Sequence, residues 1–165
     1  MKILYITRLY SPHVGGVEKH VYEVAKELQQ KGNKITILTE RYDNDLKEAE
    51  SVDGINVFRF SYPRIKLIGL LYIWRQIFKY KKFIQESDVV HVHDVFIWYL
   101  PFRFLYPKKM VFVTFHGWEG IYPIPFLNIL QKRIASKYSR GTIGVGKYIG
   151  KHYGIIVNKI TYGGQ

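Results

Sequence analysis

The sequence contains no cysteine among its 165 residues. Disulfide bonds, thiol nucleophiles and thiolate metal ligands are therefore excluded. Acidic residues are also scarce, with 13 Asp and Glu against 25 Lys and Arg, so the formal net charge is +12. A surface of that charge attracts nucleic acid, anionic lipid or phosphorylated substrates, and composition alone does not select among them.

Long uncharged runs are missing as well. The longest, 120–131, has 12 residues and includes two prolines, which is too short for a helix to span a bilayer. No signal peptide is indicated, because Lys2 leads directly into an apolar strand pattern and Arg8 follows soon after. We therefore expect a cytoplasmic protein, either soluble or peripheral on the cytoplasmic face of the membrane.

Short apolar segments alternate with helical patterns along the chain. Strand character is found at 3–6, 34–39, 55–60, 88–94, 110–115, 142–145 and 160–162. The polar stretch 43–53 is predicted to be a loop. Strands separated by helices pair in parallel with right-handed crossovers, so we predict a doubly wound, mainly parallel Rossmann-like α/β sheet forming one domain over residues 1–165.

Three helical patterns can be placed within this alternation. The first follows the opening strand, carries Val17, Val21, Val24 and Leu28 on one face, and ends near Gly32. A second, long pattern covers about 66–85. A third shows apolar residues at a spacing of four, namely Phe126, Leu130 and Ile134. We expect each apolar face to pack on the sheet.

A glycine pair, Gly15 and Gly16, lies between the first strand and the first helix. Glycines here let backbone N–H groups approach a ligand closely, and the helix N-terminus favours negative charge. A phosphate or a carboxylate would suit that geometry. The alternative is an ordinary strand-to-helix turn in which the glycines serve only the backbone conformation, with Glu18 complementing the helix dipole.

Two further motifs stand at the ends of predicted strands. His93 and Asp94 end the strand 88–94, and His116 and Gly117 follow the strand 110–115. In doubly wound sheets, ligands bind beyond the carboxyl ends of the strands. We therefore expect both motifs and the glycine turn to meet at one site.

These motifs resemble a known family. The sequences Gly-Gly-Val-Glu at 15–18, Asp-Val-Val-His-Val-His at 88–93 and Thr-Phe-His-Gly at 114–117 are similar, in order and position, to the N-terminal domain of retaining GT-B glycosyltransferases. More narrowly, the chain resembles glycosyltransferase family 4, which includes sucrose synthase and bacterial mannosyl- and glucosyltransferases. The resemblance covers essentially the whole chain.

The resemblance implies the roles of several residues. Two Rossmann-like domains would face each other across a cleft, with the acceptor mainly on the N-terminal domain and the nucleotide-sugar donor on the C-terminal domain. Gly15 and Gly16 would approach the donor diphosphate, and His116 would lie beside the transferred sugar as the catalytic residue. The C-terminal donor-binding domain is absent from this chain, so we expect the 165-residue chain to be inactive alone.

The remaining site candidates are less strongly indicated. We predict that His93, Asp94 and Gly117 line the acceptor pocket, and that His13 either contacts substrate or is merely solvated. His91 shares a strand face with His93, but a metal site needs a third ligand and usually a carboxylate. Since the family works without a catalytic metal, we expect neither a metal nor a resident cofactor. Glu119 is a weaker candidate for the cleft.

The stretch 64–84 has the pattern of a basic amphipathic helix. Its apolar arc includes Trp74, whereas Arg75, Lys79 and Lys82 cluster on the opposite side. Such a helix suits an anionic membrane surface, so we predict membrane contact through these four residues. The alternative is that the apolar face packs on the sheet and the charges are solvated.

The sequence thus favours the acceptor-binding domain of an enzyme that transfers a hexose from a nucleotide-diphospho-sugar to a glycan or lipid-linked acceptor. A non-catalytic anion- or nucleotide-binding α/β module at a membrane surface stays open as an alternative. A dinucleotide oxidoreductase would use Glu40 on the ribose, but the glycine turn lacks the G-x-G-x-x-G spacing. No nucleic-acid recognition motif is present, so we expect no nucleic-acid partner.

Overall fold

A computed structural model describes residues 1–117 and 120–162. Within this part of the chain, eight strands form one sheet in the order β3-β4-β2-β1-β5-β6-β7-β8. The strands are Lys2–Ile6 (β1), Lys34–Glu40 (β2), Ala49–Val52 (β3), Ile55–Phe60 (β4), Val89–His93 (β5), Met110–Phe115 (β6), Gly141–Val145 (β7) and Lys159–Thr161 (β8). Neighbouring strands are parallel except for β3, which is antiparallel to β4. The predicted doubly wound, mainly parallel sheet is confirmed.

Helices cover both faces of this sheet. They are Gly16–Gln30 (α1), Lys66–Lys79 (α2), Lys81–Glu86 (α3), Phe96–Leu105 (α4), Phe126–Tyr138 (α5) and Tyr148–Tyr153 (α6). Tyr5 packs in a cluster with Val21 of α1, whereas its neighbours Leu4 and Ile6 pack in a second cluster with residues of α2 to α6. Since successive strand residues point to opposite faces, these clusters are the two halves of the core.

The predicted loop over 43–53 is wrong in part, because β3 forms there. Its sequence, Ala-Glu-Ser-Val, has little strand propensity of its own. The strand is held by its ladder with β4 and by an ion pair of 2.6 Å between Glu50 Oε1 and Nη1 of the buried Arg59. Tertiary contacts therefore override local propensity at this edge of the sheet.

The helical region after β4 also differs from its predicted form. The single helix predicted over 66–85 is two helices, because the N–H of Tyr80 donates to the carbonyl of Ile77, three residues back, and the helical ladder is interrupted. The helix α4 was not predicted at all. Its sequence, FIWYLPFRFL, is almost uniformly apolar and contains Pro101, so it shows no helical periodicity.

The buried face of α5 is not the predicted one. Phe126 is 71% exposed and Leu130 is 39% exposed, whereas Ala135 and Lys132 are buried. Lys132 Nζ lies 4.8 Å from the centre of the Tyr153 ring and 5.4 Å from that of Phe115. These aromatic faces stabilise a cation inside the fold, so α5 turns its lysine inward and leaves two large apolar side chains outside.

Candidate functional site

The carboxyl ends of β5 and β6 open into a pocket of about 500 Å³. Its lining includes His93, Asp94, His116, Gly117 and Lys132, and we call it the histidine pocket. A second pocket of about 590 Å³ is lined by the glycine turn, including His13, Gly15 and Gly16. Glu18, in the first turn of α1, lines both pockets. The three predicted strand-end motifs therefore lie at one edge of the sheet, in two adjacent pockets.

Two histidines are joined at the floor of the histidine pocket. His93 Nδ1 lies 2.9 Å from His116 Nε2, and His93 is only 2% exposed. The His91 ring stacks on His93 with ring centres 4.4 Å apart, and the Tyr5 ring meets His93 edge-on. His20 of α1 packs against His116, with ring centres 5.0 Å apart. The imidazole of His116 is therefore fixed from two sides.

These histidines are neutral at physiological pH. Burial, followed by the charges of His20, His91 and Lys132, lowers the pKa of His116 to about 3. Burial, with neighbouring histidine charges, also lowers the pKa of His93 well below its ordinary value. A neutral His116 can donate one hydrogen bond and accept another, which suits orientation of a hydroxylated ligand.

The proton between the two rings has a preferred position. Among the described residues, the buried Nε2 of His93 has no hydrogen-bond partner. An orphaned acceptor is tolerated better than an orphaned buried N–H. We infer that His93 Nδ1 carries the proton and donates it to His116 Nε2, which leaves the N–H of His116 on Nδ1.

Asp94 connects three elements at this edge. It adopts a left-handed backbone conformation with φ of 60°, which Asp tolerates better than most residues. Its carboxylate accepts the backbone N–H of His116 at 3.2 and 3.3 Å and lies 3.6 Å from Lys132 Nζ. Asp94 thus ties the end of β5 to the end of β6 and to α5. Its predicted contact with an acceptor hydroxyl stays a prediction.

The glycine turn is shaped by Glu18. A Cβ atom on Gly15 would lie 2.2 Å from Glu18 Oε2, whereas one on Gly16 would meet nothing within 4 Å. Glu18 Oε1 also lies 3.2 Å from His13 Nδ1. The helix N-terminus therefore already has a carboxylate at Gly15. A diphosphate would find open backbone at Gly16, but it would need positive charge from elsewhere to offset Glu18.

Arg59 was missed as a site residue. Its side chain is fully buried, and its guanidinium donates to the carbonyl oxygens of Ser11 at 2.6 Å and Lys47 at 3.2 Å. It therefore anchors the beginning of the glycine turn. The alternation of the strand 55–60 was the available signal, because it places Arg59 on the same face as the buried Ile55 and Val57. Lys132 offered no comparable signal, since a helical lysine is usually solvated.

The predicted membrane residues are placed differently from one another. Arg75, Lys79 and Lys82 are exposed, as expected for the polar side. Trp74 is half-buried, and its indole N–H donates to the Ile97 carbonyl at 2.9 Å. The large apolar side chains that α2 exposes beside the three cations are Leu67, Ile68, Leu71, Tyr72 and Phe78. We call these five residues, with Arg75, Lys79 and Lys82, the outer face of α2.

The described part of the chain contains neither a membrane-spanning helix nor a metal cluster. Over residues 1–117 and 120–162, the helices lack the combined length and apolarity that a membrane span requires. In the same residues, no three or more His, Asp or Glu side chains are grouped so that they could hold a metal ion.

Glu40, the residue that a dinucleotide enzyme would use, is buried and already paired. Arg8, Arg64 and Tyr62 all contact its carboxylate, which makes ribose binding there unfavourable. Glu119 and the terminal pair Gly163–Gly164 lie outside the residues that the structure describes.

A parallel sheet with a histidine pocket at its carboxyl edge has the architecture of the Rossmann-like half of a GT-B glycosyltransferase. Sucrose-phosphate synthase from Thermosynechococcus elongatus matches 98% of this chain over 47% of its own, with a TM-score of 0.70 and 10% identity. HepE of Anabaena, solved with UDP and glucose, matches 100% of this chain over 45% of its own, with a TM-score of 0.69 and 14% identity. These likenesses establish the fold.

The family is shown by the sequence itself. The model of Glycosyltransferase Family 4 matches residues 14–153, so the chain belongs to that family. An uncharacterized glycosyltransferase of Methanocaldococcus jannaschii is 32% identical over 100 residues, which cover 57% of this chain and 25% of the relative. The phosphatidylinositol N-acetylglucosaminyltransferase subunit of Arabidopsis thaliana is 27% identical over 105 residues, which cover 58% and 22%. The matched segments thus span about a quarter of these relatives, and the predicted family resemblance is confirmed.

Proposed function

We propose that this chain is the acceptor-side domain of a retaining glycosyltransferase that transfers a hexose from a nucleotide-diphospho-sugar. The observation that carries the proposal is the pairing of His93 with His116 on the floor of the histidine pocket, beside the glycine turn. The structure of HepE with UDP and glucose supports a nucleotide-sugar donor for this fold. The Arabidopsis relative, named for N-acetylglucosaminyl transfer and phosphatidylinositol, supports a lipid-linked acceptor.

The described residues suit this chemistry in a definite way. Retaining transfer develops positive charge on the sugar ring and negative charge on the leaving phosphate. A neutral His116, held by His93, adds no positive charge beside the sugar ring and can orient its hydroxyl groups. The open backbone at Gly16 would approach the diphosphate when a donor-binding domain closes the cleft. Asp94 acts by positioning the backbone of His116.

The first test is transfer activity. The 165-residue chain should neither transfer nor hydrolyse UDP-, GDP- or ADP-hexoses, because the donor is expected to bind mainly to a second domain. The protein encoded by the complete reading frame that contains this sequence should do so. In that protein, His116→Ala should lower kcat by about 10²-fold, the usual cost of removing one transition-state contact.

His152→Ala, at an exposed position on α6, is the matched control and should keep full activity. Robust transfer by the isolated chain would show that the roles of the domains are assigned wrongly. Nucleotide or anion binding without transfer, in the complete protein, would instead establish the non-catalytic module.

A peripheral position on an anionic membrane is a second part of the proposal. The outer face of α2 combines five exposed apolar side chains with three cations and has no acidic residue. Apolar side chains flanked by Lys and Arg are the composition by which surface helices bind anionic lipid. The net charge of +12 favours the same partner.

A further inference from the structure

An apolar groove of about 340 Å³ lies beside the histidine pocket, where α2, α4 and α5 meet. Leu70 and Ile73 of α2 and Ile97 and Trp98 of α4 supply much of its lining. Gln131 of α5 lines both the groove and the histidine pocket, so the two cavities adjoin there. A ligand headgroup and a tail attached to it could therefore occupy both cavities at once.

Two arginines lie at this junction and share one carboxylate. Glu40, with only 4% of its side chain exposed, contacts Arg8 and Arg64. Arg8 lines the histidine pocket, and Arg64 lines the groove. Both arginine side chains are 59% exposed. One carboxylate offsets only one of the two positive charges, so the junction keeps a net positive charge and guanidinium donors directed at solvent.

We propose that these three features bind one acceptor class: a phosphate ester attached to an apolar chain. The hydroxylated headgroup would lie in the histidine pocket, the phosphate at Arg8 and Arg64, and the chain in the groove. The proposal rests on the proposed function, because it names the acceptor of that same site. Guanidinium groups bind phosphate in bidentate fashion, and an apolar cavity with few polar groups suits a hydrocarbon chain.

The surroundings of the groove favour a lipid over a free sugar phosphate. Ile65, at its mouth, is 57% exposed, and the outer face of α2 continues from it with Leu67 and Ile68. A hydrocarbon chain leaving a bilayer would thus remain on apolar surface until it enters the groove. A soluble glycan would gain little there, because Trp98 is only 5% exposed and offers no open ring face for stacking.

The experiment measures binding by the 165-residue chain and needs no donor. Dodecyl phosphate, kept below its critical micelle concentration, is titrated into the protein in a calorimeter. Inorganic phosphate and dodecyl maltoside are the comparison probes, since each retains only one of the two recognised groups. We expect saturable one-to-one binding of dodecyl phosphate, at least about tenfold tighter than either comparison probe, because both groups contribute together.

Matched variants separate the site from the protein surface. Arg64→Gln and Leu70→Gln should each weaken binding of dodecyl phosphate by at least about tenfold. Arg75→Gln and Leu67→Gln are their controls, at exposed positions of the same helix outside the groove, and should leave binding unchanged. Arg64 is exposed enough that its loss should not unfold the chain, which circular dichroism checks.

Three outcomes would overturn the proposal: no saturable binding, binding of inorganic phosphate alone with equal affinity, or equal losses in the control variants. The last would indicate adsorption to the outer face of α2. Each outcome is independent of transfer activity. Failure here therefore leaves the proposed glycosyltransferase function standing, and failure of transfer leaves the lipid-phosphate site standing.

Discussion

At the scale of single residues, the histidines at the carboxyl edge are held in their neutral forms. Burial is the main cause for both His91, whose pKa is lowered to about 4, and His116, whose pKa is lowered to about 3. The unfolded chain would protonate each near pH 6.5. Between that value and about pH 4, the unfolded state binds more protons than the folded state, so stability falls as the solution becomes more acidic.

This difference predicts a pH dependence that single substitutions can isolate. Each of the two histidines should contribute a loss of about 1.4 kcal/mol per pH unit in that window. His91→Asn and His116→Asn should each make the slope of unfolding free energy against pH shallower by that amount. Urea unfolding from about pH 4.5 to about pH 7.5 measures the slope.

The same titration supplies its own control. Above pH 7 both histidines are neutral in the folded and unfolded chains, so the variants and the parent protein should show parallel curves there. Equal slopes in the acidic window would mean that neither imidazole is kept neutral by the fold.

The residues that carry the site could be predicted only in part. His93, His116 and the glycine pair follow apolar strands, and strand ends can be located from the sequence. Lys132 and Arg59 could not be assigned in the same way, because burial of a charge depends on partners distant in the chain. Lys132 needs the rings of Phe115 and Tyr153, and Arg59 needs the Ser11 carbonyl 48 residues away.

At the scale of elements, the glycine turn and the first turn of α1 form one unit through Glu18. The two glycines differ in what they are needed for, since only Gly15 lies against the Glu18 carboxylate. Gly15 has an extended backbone that any residue can adopt. Its glycine is therefore required for the approach of Glu18 and not for the path of the chain.

Replacing each glycine by alanine should separate these roles. Gly15→Ala should push Glu18 away from His13 and cost about 1 kcal/mol of unfolding free energy, the usual value of an interaction at a helix N-terminus. Gly16→Ala should be neutral or stabilising by up to about 1 kcal/mol, because alanine favours the helix. Thermal or urea unfolding measures both.

A double variant checks the proposed cause. In a Glu18→Gln background, Gly15→Ala should cost less, because the charge interaction that it disrupts is already gone. An undiminished cost in that background would show that the alanine acts on the backbone.

The prediction of elements succeeded where periodicity is clear and failed where it is not. The strands β1, β2, β4 and β6 are short apolar runs, and they stand where the pattern placed them. The helix α4 is apolar on nearly every side and has no period to detect. The edge strand β3 is polar and forms only because β4 and Arg59 hold it.

At the scale of the whole molecule, the excess of positive charge and the outer face of α2 predict reversible binding to anionic vesicles. The chain should co-sediment with vesicles that contain phosphatidylglycerol and much less with phosphatidylcholine alone. Each Lys or Arg near the surface contributes about 1 kcal/mol, so Arg75→Glu, Lys79→Glu and Lys82→Glu together should abolish the preference. Added salt should weaken binding, because exposed charges are screened.

A charge-matched control tests whether α2 matters or only the net charge. Lys108→Glu, Lys151→Glu and Lys159→Glu change the total charge equally at exposed positions on other segments. This triple variant should retain most of the binding. Equal losses in both triple variants would reduce the membrane contact to a general electrostatic attraction.

The antiparallel strand β3 has a consequence for the solubility of the molecule. Without it, β4 would present a row of unpaired backbone N–H and C=O groups, which is a template for pairing with another chain. The covering strand has only four residues, and its Glu50 brings a negative charge to the edge. Short, charged edge strands resist the addition of further strands. The acidic stretch near residue 50 thus protects a strongly basic protein from edge-to-edge aggregation, in addition to holding Arg59.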